Sequence, residues 1–235
     1  APSLAPGIVY LNTSDGTALL KRASHDRPFW KLVPHLATEQ PGNCGPTTAV
    51  VLLNALTAEG VLQAPRSSEW VRYGQDYRYW DQENLAQGPN ASCIAKATTP
   101  WRGALDQVTA YFSCRDLDHT MTLARDSSAD AFREALKKAF RQEPIQHVAV
   151  NFNRQGMGQE GRGHHSPIGA YDESTDSVLV LDVARYKYPP WWAPLPALFQ
   201  AMLPDPVPMP FDTPRGFLVG GARRAQEPAA TPLQV

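Results

Sequence analysis

Residues 45–57 read GPTTAVVLLNALT, an apolar run with only one small break. Pro46 stands where a first helical turn tolerates proline. The run predicts a buried helix that begins at Cys44. A second helix is predicted over 129–141, ADAFREALKKAFR, where Ala131, Leu136 and Phe140 share one apolar face. The period then changes. HVAVNFN at 147–153 alternates and is rich in strand formers, and SPIGAYD (166–172), SVLVLDVA (177–184) and GFLVG (216–220) also read as strands. DESTDS has the turn chemistry to join the middle pair into a hairpin. Helices first and antiparallel strands later predict an α+β fold, with a helical lobe packed on a sheet lobe and a cleft between them.

Hydrophobic residues make up 43% of the 235, enough for a core in one large or one two-lobed domain. The 22 basic and 23 acidic residues nearly cancel. No broad field therefore points to nucleic acid or an anionic membrane. No run of eighteen apolar residues is long enough to span a bilayer. Residues 1–7 and 221–235 read as tails around a body over 8–220. The stretch 62–102 is expected to hold short helices whose aromatics, Trp70, the YRYW group and Trp101, anchor in the core. The Ala1 start has two readings. It is the end left by signal cleavage, which implies a periplasmic or secreted protein, or a boundary without meaning, which leaves the protein cytoplasmic.

The three cysteines are Cys44, Cys93 and Cys114. In an exported protein, Cys93 and Cys114 would pair and leave Cys44 free. In the cytosol all three would be thiols. Cys44 is either a small residue filling a helix start or a nucleophile. For the second, it lies at the positive end of a helix, which favours a thiolate, and Gly42 and Gly45 let a substrate approach. A thiolate nucleophile needs a base, and the base needs an orienter. His25, His35, His119 and His147 have no special setting, whereas His164 and His165 follow GRG and open a strand. That pair is either the base or a surface or half-metal site. Asp182 ends the apolar run SVLVL on the neighbouring strand, where a carboxylate must be paired or hydrogen-bonded. A hairpin sets it beside the histidines, and the alternative is an ion pair with Arg185 or Lys187.

At these residues the chain resembles the phytochelatin synthase family. GHHSPIGAYDESTDSVLVLDVARYKYPPWWAPLPALFQAM, Gly163 to Met202, looks like the signature GHFSPIGGY…D…LILDVARFKYPPHWVPL…LW.AM. NCGPTTAVVLLNAL resembles YCG..S.VVVLNAL, and YWDQENL (Tyr79–Leu85) more weakly resembles RWFDESML. The resemblance covers roughly 8–220 and implies a papain-like fold with a Cys44–His164–Asp182 triad. His165 takes the family's phenylalanine position and is not the implied base. An oxyanion glutamine is expected six residues before the cysteine, where this chain has Thr38; the nearest candidate is Gln40. Asn43 replaces the family's aromatic, and both Asn43 and His165 are expected to flank the cleft. Arg215, in PRGF, and Arg185 are the expected cations for substrate carboxylates.

The implied substrates are glutathione and other γ-glutamyl-cysteinyl peptides. Cleavage of the Cys–Gly bond would pass through a γ-glutamylcysteinyl thioester, with hydrolysis ahead of transfer to a second glutathione. No cofactor is expected for hydrolysis, and no metal site is expected in the protein. Cadmium or a similar heavy metal would enter as the thiolate complex of the acceptor. A homodimer is compatible with the family. The competing reading is a catalytically lapsed module of the same fold that binds thiols or metals.

Overall fold

Apolar on every face, the run after Cys44 can be stable as a helix only if it is covered on every side. The computed structural model, which describes residues 6–66, 77–204 and 213–223, shows how that cover is built. The helices, in chain order, are α1 (Ser14–Arg22), α2 (Arg27–Leu32), α3 (Cys44–Ala58), α4 (Ala91–Thr98), α5 (Leu105–Ser113), α6 (Ala129–Arg141) and α7 (Leu195–Met202). The strands are β1 (Val9–Tyr10), β2 (Leu117–Leu123), β3 (His147–Asn153), β4 (Gly163–Asp172), β5 (Ser177–Val180), β6 (Trp191–Pro194) and β7 (Gly216–Arg223). They form one antiparallel sheet in the order β1-β6-β5-β4-β3-β7-β2. This is the α+β, papain-like arrangement expected. No helix among the described residues is long and apolar enough to cross a membrane.

The sheet separates two cores. Ala149, Ala170, Leu179, Trp192 and Leu218 face α3, where Val50 to Leu56 are buried beside Leu105, Val108 and Phe112 of α5. The alternate residues Val148, Val150, Phe152, Ile168, Val178 and Trp191 face α6 and α7. Strands covered on both faces read as continuous apolar runs rather than as alternation. Hence SVLV is buried at every position. α6 joins this second layer through Phe132, Leu136, Ala139 and Phe140, and its start is capped by the Ser128 hydroxyl, which accepts from the Ala131 N–H at 3.1 Å. The helical layer is thus split between the two faces rather than gathered on one.

Several predicted boundaries shift. β4 begins at Gly163 and takes in both histidines, because β3 offers partners as far as Asn153↔Gly163. β5 ends at Val180, so Asp182 lies in the segment beyond it and not on the strand. β7 runs to Arg223, past the Gly220–Gly221 pair that marked its end in sequence, because β2 supplies a partner at Leu117. In the middle stretch, α4 is present and Trp80 is buried as expected, but Tyr77 and Trp101 are exposed rather than anchored in the core, and Trp70 lies outside the described residues.

Cys93 of α4 and Cys114 at the end of α5 form a disulfide with Cα atoms 5.8 Å apart, and Cys44 is the free thiol. The bridge ties α4 to the helix that packs on α3, and it closes a loop of 21 residues' separation. A loop of that size contributes about 3 kcal/mol in a chain-entropy account. Replacing both Cys93 and Cys114 with alanine is expected to lower unfolding stability by roughly 2–4 kcal/mol in urea titration. Reduced wild-type protein should match the double variant. Equal stability of the oxidised and reduced forms would show that the bridge constrains nothing.

Candidate active site

The position of Cys44 is set by a turn. Pro41 and Gly42 form the centre of a β-turn closed by the Asn43 N–H donating to the Gln40 carbonyl at 2.8 Å. Gly42 has φ +88°, a left-handed conformation suited to glycine at the third turn position. The turn delivers Asn43 as the N-cap and Cys44 as the first residue of α3. Asn43 makes no side-chain cap, so the first-turn N–H groups remain available to a ligand. Gly45 is required by packing: a Cβ there would lie 2.8 Å from both Trp101 and Val108. The strand-like lead-in is held from two sides. The Glu39 N–H donates to the Val183 carbonyl at 2.9 Å, and the Gln82 amide bridges the Thr38 carbonyl and the Gln40 N–H at 3.1 and 2.9 Å.

His164 is buried near the start of β4. Its Nε2 lies 3.0 Å from Asp182 Oδ1 and 3.0 Å from Ser166 Oγ. Nδ1 is therefore the ring nitrogen left to face Cys44, whose sulfur lies within 4.8 Å of a His164 ring nitrogen. The ring edge packs on Phe152 with centroids 5.7 Å apart. Burial opposes a charge on this ring. The negative charge of Asp182 and the hydrogen bonds to Asp182 and Cys44 outweigh burial, and the His164 pKa rises above its ordinary value despite the Arg154 charge.

Asp182 is fully buried and is met by four residues. Arg154 forms a two-pronged pair with it at 2.8 and 3.0 Å, the Trp191 indole donates at 2.9 Å, the Ala184 N–H donates at 2.9 Å, and His164 supplies the fourth contact. Burial would raise its pKa, but the His164 charge and hydrogen bond, followed by those of Arg154, hold the carboxyl well below the usual range. The carboxylate stays ionised and fixes Nε2–H toward itself, which leaves Nδ1 to exchange a proton with the sulfur.

The structure thus brings Cys44, His164 and Asp182 together. The sequence alternatives for Asp182 are replaced by Arg154. Arg185 is exposed and donates to the Leu36 carbonyl at 3.3 Å, and the Lys187 backbone turns back to Ala184. Gln40 is exposed, and its side-chain oxygen accepts from the Asn43 amide at 3.5 Å. His165 points away from its neighbour. It is buried, its Nε2 lies 2.9 Å from the Gly103 carbonyl, and burial pushes its pKa down to about 4. Arg215 is buried at the head of β7, donates to the Leu203 carbonyl at 3.4 Å, and lines a hollow with Arg125, Pro204, Thr213 and Pro214. That lining shares no residue with the Cys44–His164–Asp182 cluster.

Sequence reasoning missed Arg154, Trp191, Ser166 and Glu39. Glu39 is buried, and one carboxylate oxygen accepts from the Tyr186 hydroxyl at 2.9 Å. A Glu39 carboxylate oxygen, the Cys44 sulfur and a His164 ring nitrogen all lie within 4.8 Å of one another.

Two consequences can be measured. Arg154→Met strands a buried carboxylate and is expected to cost roughly 3–5 kcal/mol in urea unfolding, with little recovery in Arg154→Lys, which cannot form both prongs. His165 is neutral in the fold down to about pH 4, whereas the unfolded ring takes a proton near its ordinary value. The unfolded chain therefore binds more protons between those limits, and stability falls as pH drops through the window, by roughly 3 kcal/mol at pH 4. In His165→Phe this acid-side slope should disappear. An unchanged slope would assign it to another group.

The phytochelatin synthase family model matches residues 1–217 of the chain. Glutathione gamma-glutamylcysteinyltransferase 3 of Lotus japonicus is 32% identical over 176 residues, which cover 74% of this chain and 34% of that protein. The glutathione gamma-glutamylcysteinyltransferase of Schizosaccharomyces pombe is 29% identical over 210 residues, 88% of this chain and 45% of its own length. Glutathione gamma-glutamylcysteinyltransferase 1 of Arabidopsis thaliana is 27% identical over 220 residues, 92% of this chain and 42% of that one. The chain spans less than half the length of these relatives. With the match running from the first residue to the last strand, the chain belongs to the phytochelatin synthase family.

Proposed function

We propose that the chain is a thiol enzyme that cleaves the Cys–Gly bond of glutathione through a γ-glutamylcysteinyl thioester on Cys44. The observation that carries this reading is the buried line Arg154–Asp182–His164–Cys44 at the head of α3, in a chain whose relatives are named glutathione gamma-glutamylcysteinyltransferases. Hydrolysis is the favoured outcome, and transfer to a second glutathione is the further one.

The Cys44 thiolate attacks the carbonyl carbon of the Cys–Gly bond, and the oxygen takes the displaced electron pair. The Cys44 backbone N–H at the helix start is a donor for that oxyanion, and Gln40 is a candidate for the second. The imidazolium at Nδ1 gives its proton to the leaving glycine nitrogen as the C–N bond breaks. Water then loses a proton to Nδ1 and attacks the thioester. The C–S bond breaks, and the thiolate–imidazolium pair returns. Asp182 stays ionised throughout and holds the ring. Arg185, exposed three residues past Asp182, is the first candidate for a substrate carboxylate. This chemistry needs no cofactor, and a cadmium ion would take part as the thiolate complex of the acceptor glutathione.

The protein incubated with glutathione should release glycine and γ-glutamylcysteine, both read by mass spectrometry, with an acyl adduct trapped on Cys44 by rapid acid quench. Cys44→Ala should abolish release, Asp182→Asn should lower it by about 10²–10⁴-fold, and Cys93→Ala should leave it largely intact. Release from ordinary α-linked peptides at the same rate, or no release and no adduct, would overturn the assignment.

A further inference from the structure

Glu39 is the charged group in this site that the proposed chemistry does not use. Its side chain is more than nine-tenths buried, yet only one of its carboxylate oxygens has a hydrogen-bond partner, the Tyr186 hydroxyl. The other, Oε2, is buried and has none. A buried carboxylate oxygen without a donor is costly, and the carboxylate that carries it lies beside a sulfur and an imidazole.

We propose that Cys44 Sγ, His164 Nδ1 and the Glu39 carboxylate form a three-ligand site for a free thiophilic divalent cation, zinc or cadmium, and that its occupancy shuts off the nucleophile. The three donor atoms lie within 4.8 Å of one another. A tetrahedral ion with normal bond lengths asks for donor spacings of roughly 3.5 Å, which small side-chain rotations supply. Thiolate, imidazole and carboxylate together are a zinc-type set, and the thiolate favours soft ions. The outer shell is already in place. A metal-bound histidine needs its far N–H held by an acceptor, and Asp182 holds His164 Nε2 at 3.0 Å while Arg154 and Trp191 hold Asp182. Charge balances too, since a thiolate, a carboxylate and a neutral imidazole around a doubly charged ion sum to zero. The cation takes the sulfur lone pair and the Nδ1 lone pair that acylation requires, and the proton shared by Cys44 and His164 leaves to solvent.

The inference shares the catalytic site but does not need glutathione to be the substrate, so the test is run without it. The disulfide-intact protein is titrated with cadmium chloride alone. The readouts are the ultraviolet thiolate-to-cadmium charge-transfer band and protection of Cys44 from iodoacetamide. One equivalent should bind, raise the band and block alkylation, and a chelator should reverse both. Glu39→Gln, checked for folding by circular dichroism, should bind cadmium at least about tenfold more weakly. Wild-type protein that shows no band and no protection overturns the proposal without any variant. So does a Glu39→Gln variant with unchanged cadmium affinity, which would take Glu39 out of the ligand set. Failure of glutathione cleavage with intact cadmium protection would instead strike only at the proposed substrate.

Discussion

The site depends on one buried carboxylate. Asp182 has no exposed surface, and an ionised group there survives only because Arg154, Trp191, the Ala184 N–H and His164 all point at it. Each of these comes from a different part of the chain: the end of β3, the start of β6, the segment after β5 and the start of β4. The carboxylate therefore works as a knot that ties the sheet's catalytic edge together, and the histidine inherits its position from it. A hydrogen-bonded knot of this kind restricts the ring to one orientation, and an exposed Asp–His pair would not.

The sheet makes that knot possible. Because both faces are covered, one by α3 and α5 and the other by α6 and α7, the strand ends near the site are dry and fixed. The α3 layer brings the helix start and its unpaired N–H groups to the same edge, through the Pro41–Gly42 turn. Trp101 closes on Gly45 so tightly that no side chain fits there. Cys44 is thus aligned by backbone and packing, while His164 is aligned by charge.

Much of this was legible in sequence. The α3 run, the α6 period, the strand at 147–153 and the paired appearance of His164 and Asp182 around a turn all follow from residue pattern. What the pattern could not show were contacts between segments far apart. Arg154 stands 28 residues before Asp182 in a polar loop, so the nearer Arg185 and Lys187 looked like its partners. Trp191 reads as one more core aromatic, because nothing local says that its indole N–H needs an acceptor. Glu39 carries no local signal, since its segment ATEQPGN is largely polar and a carboxylate beside a thiol is a choice that local propensity does not predict. His165 misled in the other direction. Alternation along β4 puts it on the face opposite His164, which becomes evident only once the strand is known to begin at Gly163.

The placement of charge distinguishes what this edge can accept. Arg154 answers the charge of Asp182, and the Glu39 carboxyl is a second acidic group, set next to the sulfur. A carboxylate in that position disfavours a second anion close to the sulfur and favours positive charge there. Arg185, tethered at the carbonyl of Leu36 three residues before Glu39 in the chain, offers the opposite charge at an exposed position. The same arrangement leaves a soft cation free to settle among the three donors whenever no peptide occupies the site.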